Sequence, residues 1–513
     1  ALVDLPNDWQ LESDYTLTRN QSTFSSFGLH TQNLPAAINA GTVDPFVDTL
    51  ANPLNMAFYG GAYGGDFPSR LGNVALRVAG PLGHLPAGRP TLTIGLEHRK
   101  ESLDAGDYYW AFPQFPSRNV QRDYLPKSQR VLSAYAEMKV PLVSAANSLP
   151  LVRELDLQIS GRSERFKVAT GTAFVSSPTE PVTENEASFS ATSPTIGVRF
   201  KPFEQLMLRA SYATGFLPPD YVQFLAPTLG GGFVSGPGSL TSVVDPRRGN
   251  EVVATQFMAG GNPNIEPQNS TSWSVGAVWT PQYLKGLRAN LEWYRLTLKD
   301  VALTPTAQQI VDLESQFQGR IQRDAVAPGD PYGVGRINLV DYSLINAAST
   351  KTEGLDMSIA YRFGIGSLGS LEFSGIGTVI KHFQRQTTLG GPMVDIVNQV
   401  ANGGPLQRKG NLSLSWWREA WQVDWTLTHF GSYRQSDNPA FVLAQGSRSI
   451  PSQSYHDLVV KYDWDAGLTV QVGVSNVFND VPPLDVFYDR TSYYSPFGDA
   501  RLREYWLSLN QRF

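Results

Sequence analysis

The end of the chain constrains the fold most. Tyr505, Leu507, Leu509 and Phe513 alternate with Trp506, Ser508, Asn510 and Arg512. Successive side chains of a strand point to opposite faces, so this segment has one mostly apolar and one mostly polar face. The pattern recurs upstream. Leu468, Val470, Val472 and Val474 oppose Thr469, Gln471 and Gly473, and Trp421, Val423, Trp425 and Leu427 oppose Gln422, Asp424, Thr426 and Thr428. No helical period intervenes, which predicts one large antiparallel sheet. A soluble sheet would bury its apolar face in a core. Here the apolar faces are edged with Trp, Tyr and Phe, as on a barrel whose outside meets lipid. The expected fold class is all-β: a transmembrane antiparallel β-barrel in a bacterial outer membrane.

Composition narrows the alternatives. Charged residues make up 17% and the hydrophobic class 41% of 513 residues, both below soluble averages. No run of 18 or more apolar residues could span as a helix, whereas barrel strands escape hydropathy scans because lumen-facing polar residues dilute them. The 46 Gly and 35 Pro suit many turns and long loops. A net charge of −5 gives no reason to expect nucleic acid, and the absence of Cys removes disulfides, thiol nucleophiles and Cys-ligated metal. The chain opens at Ala1 without a charged, then apolar, leader, so a mature or truncated form is expected.

Walking the chain gives about sixteen strand candidates. The clearest are Leu151–Ile159, Leu206–Tyr212, Leu355–Phe363, Leu412–Trp416, Trp421–Leu427, Leu468–Val474 and Tyr505–Phe513. Short connections (Lys201–Glu204, Pro281–Gly286, Gly364–Ser370, Arg418–Ala420, Asp463–Gly467) alternate with long ones. The long ones are Gln21–Ser69, Asp104–Lys127, Pro218–Gln268, Thr304–Gly335, Thr387–Pro405 and Phe478–Ala500. Short periplasmic turns and long extracellular loops are the asymmetry expected of such barrels. The last strand then ends in the periplasm, and the first clear strand, near Trp9–Thr18, runs outward.

Five segments, in order, resemble the TonB-dependent outer-membrane receptors. They are Ala134–Leu142 with Leu155–Gly161; Pro194–Phe200 with Leu208–Phe216; Gly261-Asn-Pro-Asn-Ile-Glu-Pro267 before Ser272-Trp-Ser-Val-Gly276; Thr352-Glu-Gly-Leu-Asp356; and Asn476-Val-Phe-Asn-Asp480 with the terminal aromatic strand. The resemblance implies active import of a scarce or bulky ligand, such as a siderophore, glycan, cobalamin or peptide. TonB and its inner-membrane complex would pull on a plug, and the outer-membrane barrel assembly machinery would act on the C-terminal strand carrying Tyr505, Leu507, Leu509 and Phe513. Outer-membrane lipid and lipopolysaccharide would surround the barrel. Family members carry a TonB box and a plug, and neither is found in this sequence. Their barrels have 22 strands and a plugged lumen, against about sixteen here. Residues 1–513 therefore read as a partial barrel lacking the plug and the first strands, with a self-closing, passive porin-like channel as the alternative. In that alternative, lumen charges such as Glu154, Arg209 and Asp424 would set selectivity.

Ligand contacts are sought in the loops, which the scaffold leaves free to vary. Asp107-Tyr-Tyr-Trp-Ala-Phe-Pro-Gln-Phe115 offers Tyr108, Tyr109, Trp110, Phe112 and Phe115, suited to stacking on a flat ligand or, alternatively, to packing against neighbouring loops. Arg247 and Arg248, in Asp245-Pro-Arg-Arg-Gly249, could grip a carboxylate or phosphate, bind lipopolysaccharide phosphates or stand solvated. Gly364-Ile-Gly-Ser-Leu-Gly369 matches a dinucleotide fingerprint but precedes a strand pattern, so it reads as a hairpin turn. The six His are scattered without ligand spacing, so no metal is expected. No nucleophile elbow occurs, and no catalytic residue or cofactor is expected.

Overall fold

The computed structural model describes residues 1–512 apart from 30–32, 45, 49, 56–59, 112–119, 173, 176, 178, 221–222, 230–239, 387–388, 437–438, 465–466 and 489–492. Among the described residues, sixteen long strands follow one another around a single sheet. They are β1 (Trp9–Leu29), β2 (Gly60–Pro81), β3 (Thr91–Leu103), β4 (Lys127–Val143), β5 (Glu154–Gly171), β6 (Glu184–Phe203), β7 (Leu206–Leu217) and β8 (Gln268–Trp279). The sheet continues with β9 (Leu287–Leu303), β10 (Ile345–Gly364), β11 (Ser370–Gln386), β12 (Arg408–Arg418), β13 (Trp421–Phe430), β14 (Gln453–Asp463), β15 (Leu468–Ser475) and β16 (Glu504–Gln511).

Each of these strands pairs antiparallel with the next. Five short segments bring the sheet to 21 strands: Leu2–Leu5, Gly106–Ala111, Val120–Tyr124, Phe174–Val175 and Met393–Asp395. Among the described residues no pairing joins β16 to β1 or to Leu2–Leu5, so the sheet presents two unpaired edges.

Register turns the sequence pattern into two faces. Tyr15 lies opposite Val74, Val74 opposite His98, and His98 opposite Leu132, so these side chains share the face that carries Leu17, Leu76 and Leu96. The same parity runs to β16, where Tyr505, Leu507 and Leu509 stand out on the apolar face, opposite Val474, Val472 and Val470. Phe513 lies outside the described residues. The other face carries charge. Arg162 bridges Glu97 and Glu164, Arg199 pairs with Asp156, and Arg209 with Glu292. An apolar outside and a polar inside are the signature of a membrane barrel. Glycines on the inner face admit rings: Tyr135 lies over Gly95 and Trp506 over Gly473, where a Cβ would overlap the ring.

The short turns fall where expected. Gly366 and Gly369 take positive φ (64° and 99°) between β10 and β11, so the dinucleotide-like motif is a hairpin turn. Two long connections are partly strand instead. Gln21–Ser69 gives its two ends, 21–29 and 60–69, to β1 and β2, and Asp104–Lys127 contains Gly106–Ala111 and Val120–Tyr124. Above the membrane a strand needs no strict apolar alternation, because both faces meet water or other loops.

Two further loops fold together. Residues 218–267 and 304–344 supply Thr228–Leu229, Leu240–Asp245, Glu251–Ala259, Ile321–Arg323 and Ile337–Asp341, a five-stranded sheet in which Glu251–Ala259 runs parallel to Ile337–Asp341. The helix Ala307–Asp312 starts in a capping box, Thr306 with Gln309, and packs Ala307, Ile310 and Val311 on Val243, Ile337 and Val340. This cap has a core of its own, and Phe224 and Ile265 tuck from its loop onto Val168.

Candidate functional site

The inner face at the long-loop end gathers aromatic rings. Phe24 lies opposite Gly65, so it shares a face with Tyr63 and Phe67, the inner one by parity with Thr16 and Thr18. Tyr63 faces Trp110, Gly65 faces Tyr108, and Tyr108 faces Arg122. Tyr124 faces Phe174. The rings form a chain. Trp110 meets Tyr63 (5.5 Å between centroids), Tyr63 meets Phe24 (6.4 Å), and Phe24 stacks on Phe67 (6.1 Å). Phe67 meets Tyr124 (5.3 Å), which meets Phe174 (5.5 Å). The Arg122 guanidinium sits 4.7 Å from the Phe174 ring centre. Such a row offers π faces with a cation at one end, which suits a planar or aromatic anion.

The sequence-derived aromatic candidates divide by parity. Tyr108 and Trp110 belong to the inner row, whereas Tyr109 turns to the other face over Gly64. Phe112 and Phe115 lie outside the described residues. The segment is strand rather than loop, because Asp104–Ala105 interrupts the ladder and Gly106–Ala111 then pairs with the upper part of β2. Sequence reasoning missed Phe24, Tyr63, Phe67, Tyr124 and Phe174. Phe24, Tyr63 and Phe67 lie in a stretch read as loop, where parity has no meaning until a register exists.

The arginine pair is built into the cap. Arg248 is 5% exposed; Nε donates to Glu251 (2.8 Å), Nη2 pairs with Asp330 (2.8 Å), Nη1 reaches the Val334 carbonyl, and the group lies over Tyr332. Its donors are thus occupied internally, by Glu251, Asp330 and the Val334 carbonyl. Arg247 is half exposed and donates to Glu314 (3.0 Å). Beside it, Arg323 donates to Asp245 at 2.6 and 3.0 Å, to Glu314 at 3.0 and 2.7 Å, and to the Gly335 carbonyl at 3.0 Å. Burial works to raise the Asp245 carboxyl, but the Arg323 guanidinium and the Arg247 N–H hold it below the usual range. Hydrogen bonds from Arg323 likewise hold Glu314 low, and Arg248 does the same for Asp330.

The re-entry motifs hold loops to strands. Asn262 donates to the Leu344 carbonyl (2.8 Å), and Asn346 accepts from the Glu266 N–H (2.8 Å). Asn476 donates to the Asp480 carbonyl and accepts from its N–H, at 2.8 and 2.9 Å. Tyr433, fully buried, donates to Asp485 (2.8 Å) and tethers the last loop to the one before it. Of the lumen charges, Glu154 pairs with Lys201 (2.9 Å), Arg209 with Glu292, and Asp424 accepts from Gln422 (2.8 Å). No group of three or more His, Cys, Asp or Glu among the described residues could hold a metal ion.

Comparison with known proteins bears on this arrangement. A family model described as TonB dependent receptor-like, beta-barrel matches residues 3–477. No curated protein sequence matches the chain. Among solved structures, the ferripyoverdine receptor of the outer membrane of Pseudomonas aeruginosa is 14% identical with TM-score 0.55, over 93% of this chain and 51% of that one. The ferric-catecholate import receptor Fiu from E. coli K12 is 12% identical with TM-score 0.56, over 98% and 62%. The siderophore receptor PiuA from Acinetobacter baumannii is 12% identical with TM-score 0.53, over 93% and 59%. The chain thus spans between about half and three-fifths of the length of these structures.

Proposed function

The chain belongs to the TonB-dependent receptor family through its β-barrel domain, and from that premise we propose that it forms most of the wall of an importer for a scarce or bulky ligand. The unpaired edges at Leu2–Leu5 and β16 support a barrel completed by further strands, because lipid leaves no backbone group unsatisfied. A passive channel of sixteen strands needs those edges to pair with each other, and among the described residues they do not. TonB would act on a plug inside the completed barrel, with the wall itself rigid. The outward row of Tyr505, Leu507 and Leu509 supports β16 as the strand handled by the assembly machinery.

The observation that carries the ligand reading is the inner aromatic row ending in Arg122. A ferric siderophore is the favoured class. Iron chelates present flat anionic donors that stack and pair on such a surface, and the solved relatives are named for them. Within the row, Tyr108 and Trp110 are the proposed contacts from the aromatic segment, with Arg247 at the cap rim. Deleting residues 108–115 would remove a paired strand, so point substitutions are the cleaner test. Trp110→Ala and Tyr63→Ala in the full-length receptor should each weaken binding of ferric catecholates or ferric pyoverdine about 2- to 12-fold, from roughly 0.5–1.5 kcal/mol per aromatic contact. Unchanged affinity in both removes the row from consideration. Uptake that persists after the proton gradient is collapsed would instead establish a passive channel.

A further inference from the structure

Described parts of the last three long connections, within 393–407, 431–452 and 476–503, meet at a short ribbon. Tyr433–Arg434 pairs with Ser449–Ile450, and the Gln435 N–H extends the ladder to the Arg448 carbonyl (2.9 Å). The Arg434 N–H donates to the Asn398 carbonyl (2.9 Å), which brings in the first of the three. Alternation along an extended segment puts Tyr433 and Gln435 on one side of the ribbon and Arg434 on the other. The Tyr433 side is the buried one, because Tyr433 and Ile450 pack with Leu406 and Phe497. There the Tyr433 hydroxyl reaches Asp485 (2.8 Å) and Ser495 (3.1 Å), and Gln453 Nε2 donates to the Ser495 hydroxyl (2.7 Å).

Two groups in this junction lack what burial demands. Asp485 is 1% exposed and accepts from Tyr433 and from the Phe487 N–H (3.2 Å), against about four lone-pair sites on a carboxylate. No Lys, Arg or His among the described residues pairs with it. Gln435 is 4% exposed, and among the described residues neither its amide oxygen nor its amide nitrogen has a hydrogen-bond partner. The neighbouring glutamines are matched. Gln453 accepts from Tyr455 (2.6 Å), and Gln445 donates to the Leu484 carbonyl (2.9 Å) and accepts from the Val486 N–H (3.0 Å). Buried polar groups are satisfied by protein, water or an ion, and buried charges are paired or bind a metal. Water would satisfy the Gln435 amide but would bring no charge to Asp485.

We propose that this junction binds one alkali-metal cation, with Asp485 supplying the charge and Gln435 Oε1 and Ser495 Oγ supplying neutral oxygens. One carboxylate matches one positive charge, whereas a divalent ion would leave a charge uncompensated in the same buried place. Calcium sites gain affinity by adding carboxylates, and magnesium keeps several waters in a strict octahedron; neither fits one carboxylate among hydroxyls and amides. A mostly neutral donor set also agrees with the lack of any His, Cys, Asp or Glu triplet among the described residues. Gln435 stands on the ribbon and Asp485 and Ser495 on the last loop, so the ion would hold one to the other. The site is independent of the aromatic row and of what that row binds.

The full-length receptor in neutral detergent is probed by limited proteolysis within 478–503, in sodium, potassium, calcium and N-methylglucamine chloride at one ionic strength. Cleavage through a transiently opened loop tracks the open population, and an ion that binds only the closed form suppresses that population by mass action. The proposal expects saturable slowing by sodium or potassium, about 11-fold at ten times the half-saturating concentration. Asp485→Asn, which still accepts from Tyr433 through Oδ1, should lose the ion dependence. In N-methylglucamine it should be cleaved no faster than wild type, since it discharges a buried group, so a folding defect cannot imitate the result. Gln435→Met leaves the tyrosine tether intact and should raise the half-saturating concentration about tenfold or more, as for one lost contact to a charged group. Equal cleavage of wild type in all four salts overturns the proposal and leaves the Gln435 amide to water. Slowing by calcium alone overturns it in favour of a divalent ion, and an unchanged ion response in either variant overturns it as well.

Discussion

Replacing Arg323 by Met tests whether the cap is a cooperative unit held by one guanidinium. The side chain is 12% exposed, Asp245 is 0% exposed and Glu314 20%. All five N–H donors are used, two of them on Asp245. Met keeps much of the volume but leaves Asp245 with the Arg247 N–H as its nearest donor, at 3.1 Å. Breaking a buried ion pair from one side costs about 3–5 kcal/mol, chiefly because the surviving charge stays buried. The cost should fall on the cap alone, because its core of Val243, Ile310, Val311 and Val340 is separate from the sheet wall. Native-state hydrogen exchange reads this directly. Amides of 240–259 and 321–341 should exchange roughly two to three and a half powers of ten faster, at about 1.4 kcal/mol per tenfold, with β12–β15 unchanged. Adding Asp245→Asn should recover part of the loss by discharging the orphaned group. Unaltered cap protection in Arg323→Met would refute the reasoning, and a uniform loss over cap and barrel would show that the two are one unit.

The same network sets a pH dependence. Asp245, Glu314 and Asp330 are held below their ordinary values in the folded cap, so their stabilisation is complete above the unfolded carboxylate range near ~4 and is lost as pH falls through the lower folded values. The opening free energy of the cap, taken from exchange after correction for the intrinsic amide rate at each pH, should thus be flat from about pH 7 to 5 and fall below about 4; a fall between 7 and 5 would contradict the assignment. Tyr433→Phe removes the hydroxyl that donates to the buried Asp485 (2.8 Å) and Ser495 (3.1 Å), at a cost of about 1–3 kcal/mol for the unsatisfied carboxylate. Limited proteolysis within 478–503 should quicken while the heat-modifiable migration of the barrel stays unchanged.

The alternation of β13, β15 and β16 can be read directly from the residues, because a strand in the membrane must separate lipid-facing from lumen-facing side chains at every second position. The short turns were equally legible, down to the glycines between β10 and β11. The strand count of about sixteen followed from the same rule. What the sequence could not supply was anything that depends on register. Tyr108 and Trp110 join an inner row while Tyr109 turns away, and that depends on the break at Asp104–Ala105, which no local pattern announces. Arg248 looks in sequence like an open grip for an anion, and only the folding of 218–267 against 304–344 buries it against Glu251 and Asp330. Tyr433 lies tens of residues before Asp485 and Ser495, so only the folding of the loops brings them together. Local chemistry determined which residues face lipid; non-local pairing, with its entropic cost offset only across the whole sheet, decided which residues meet.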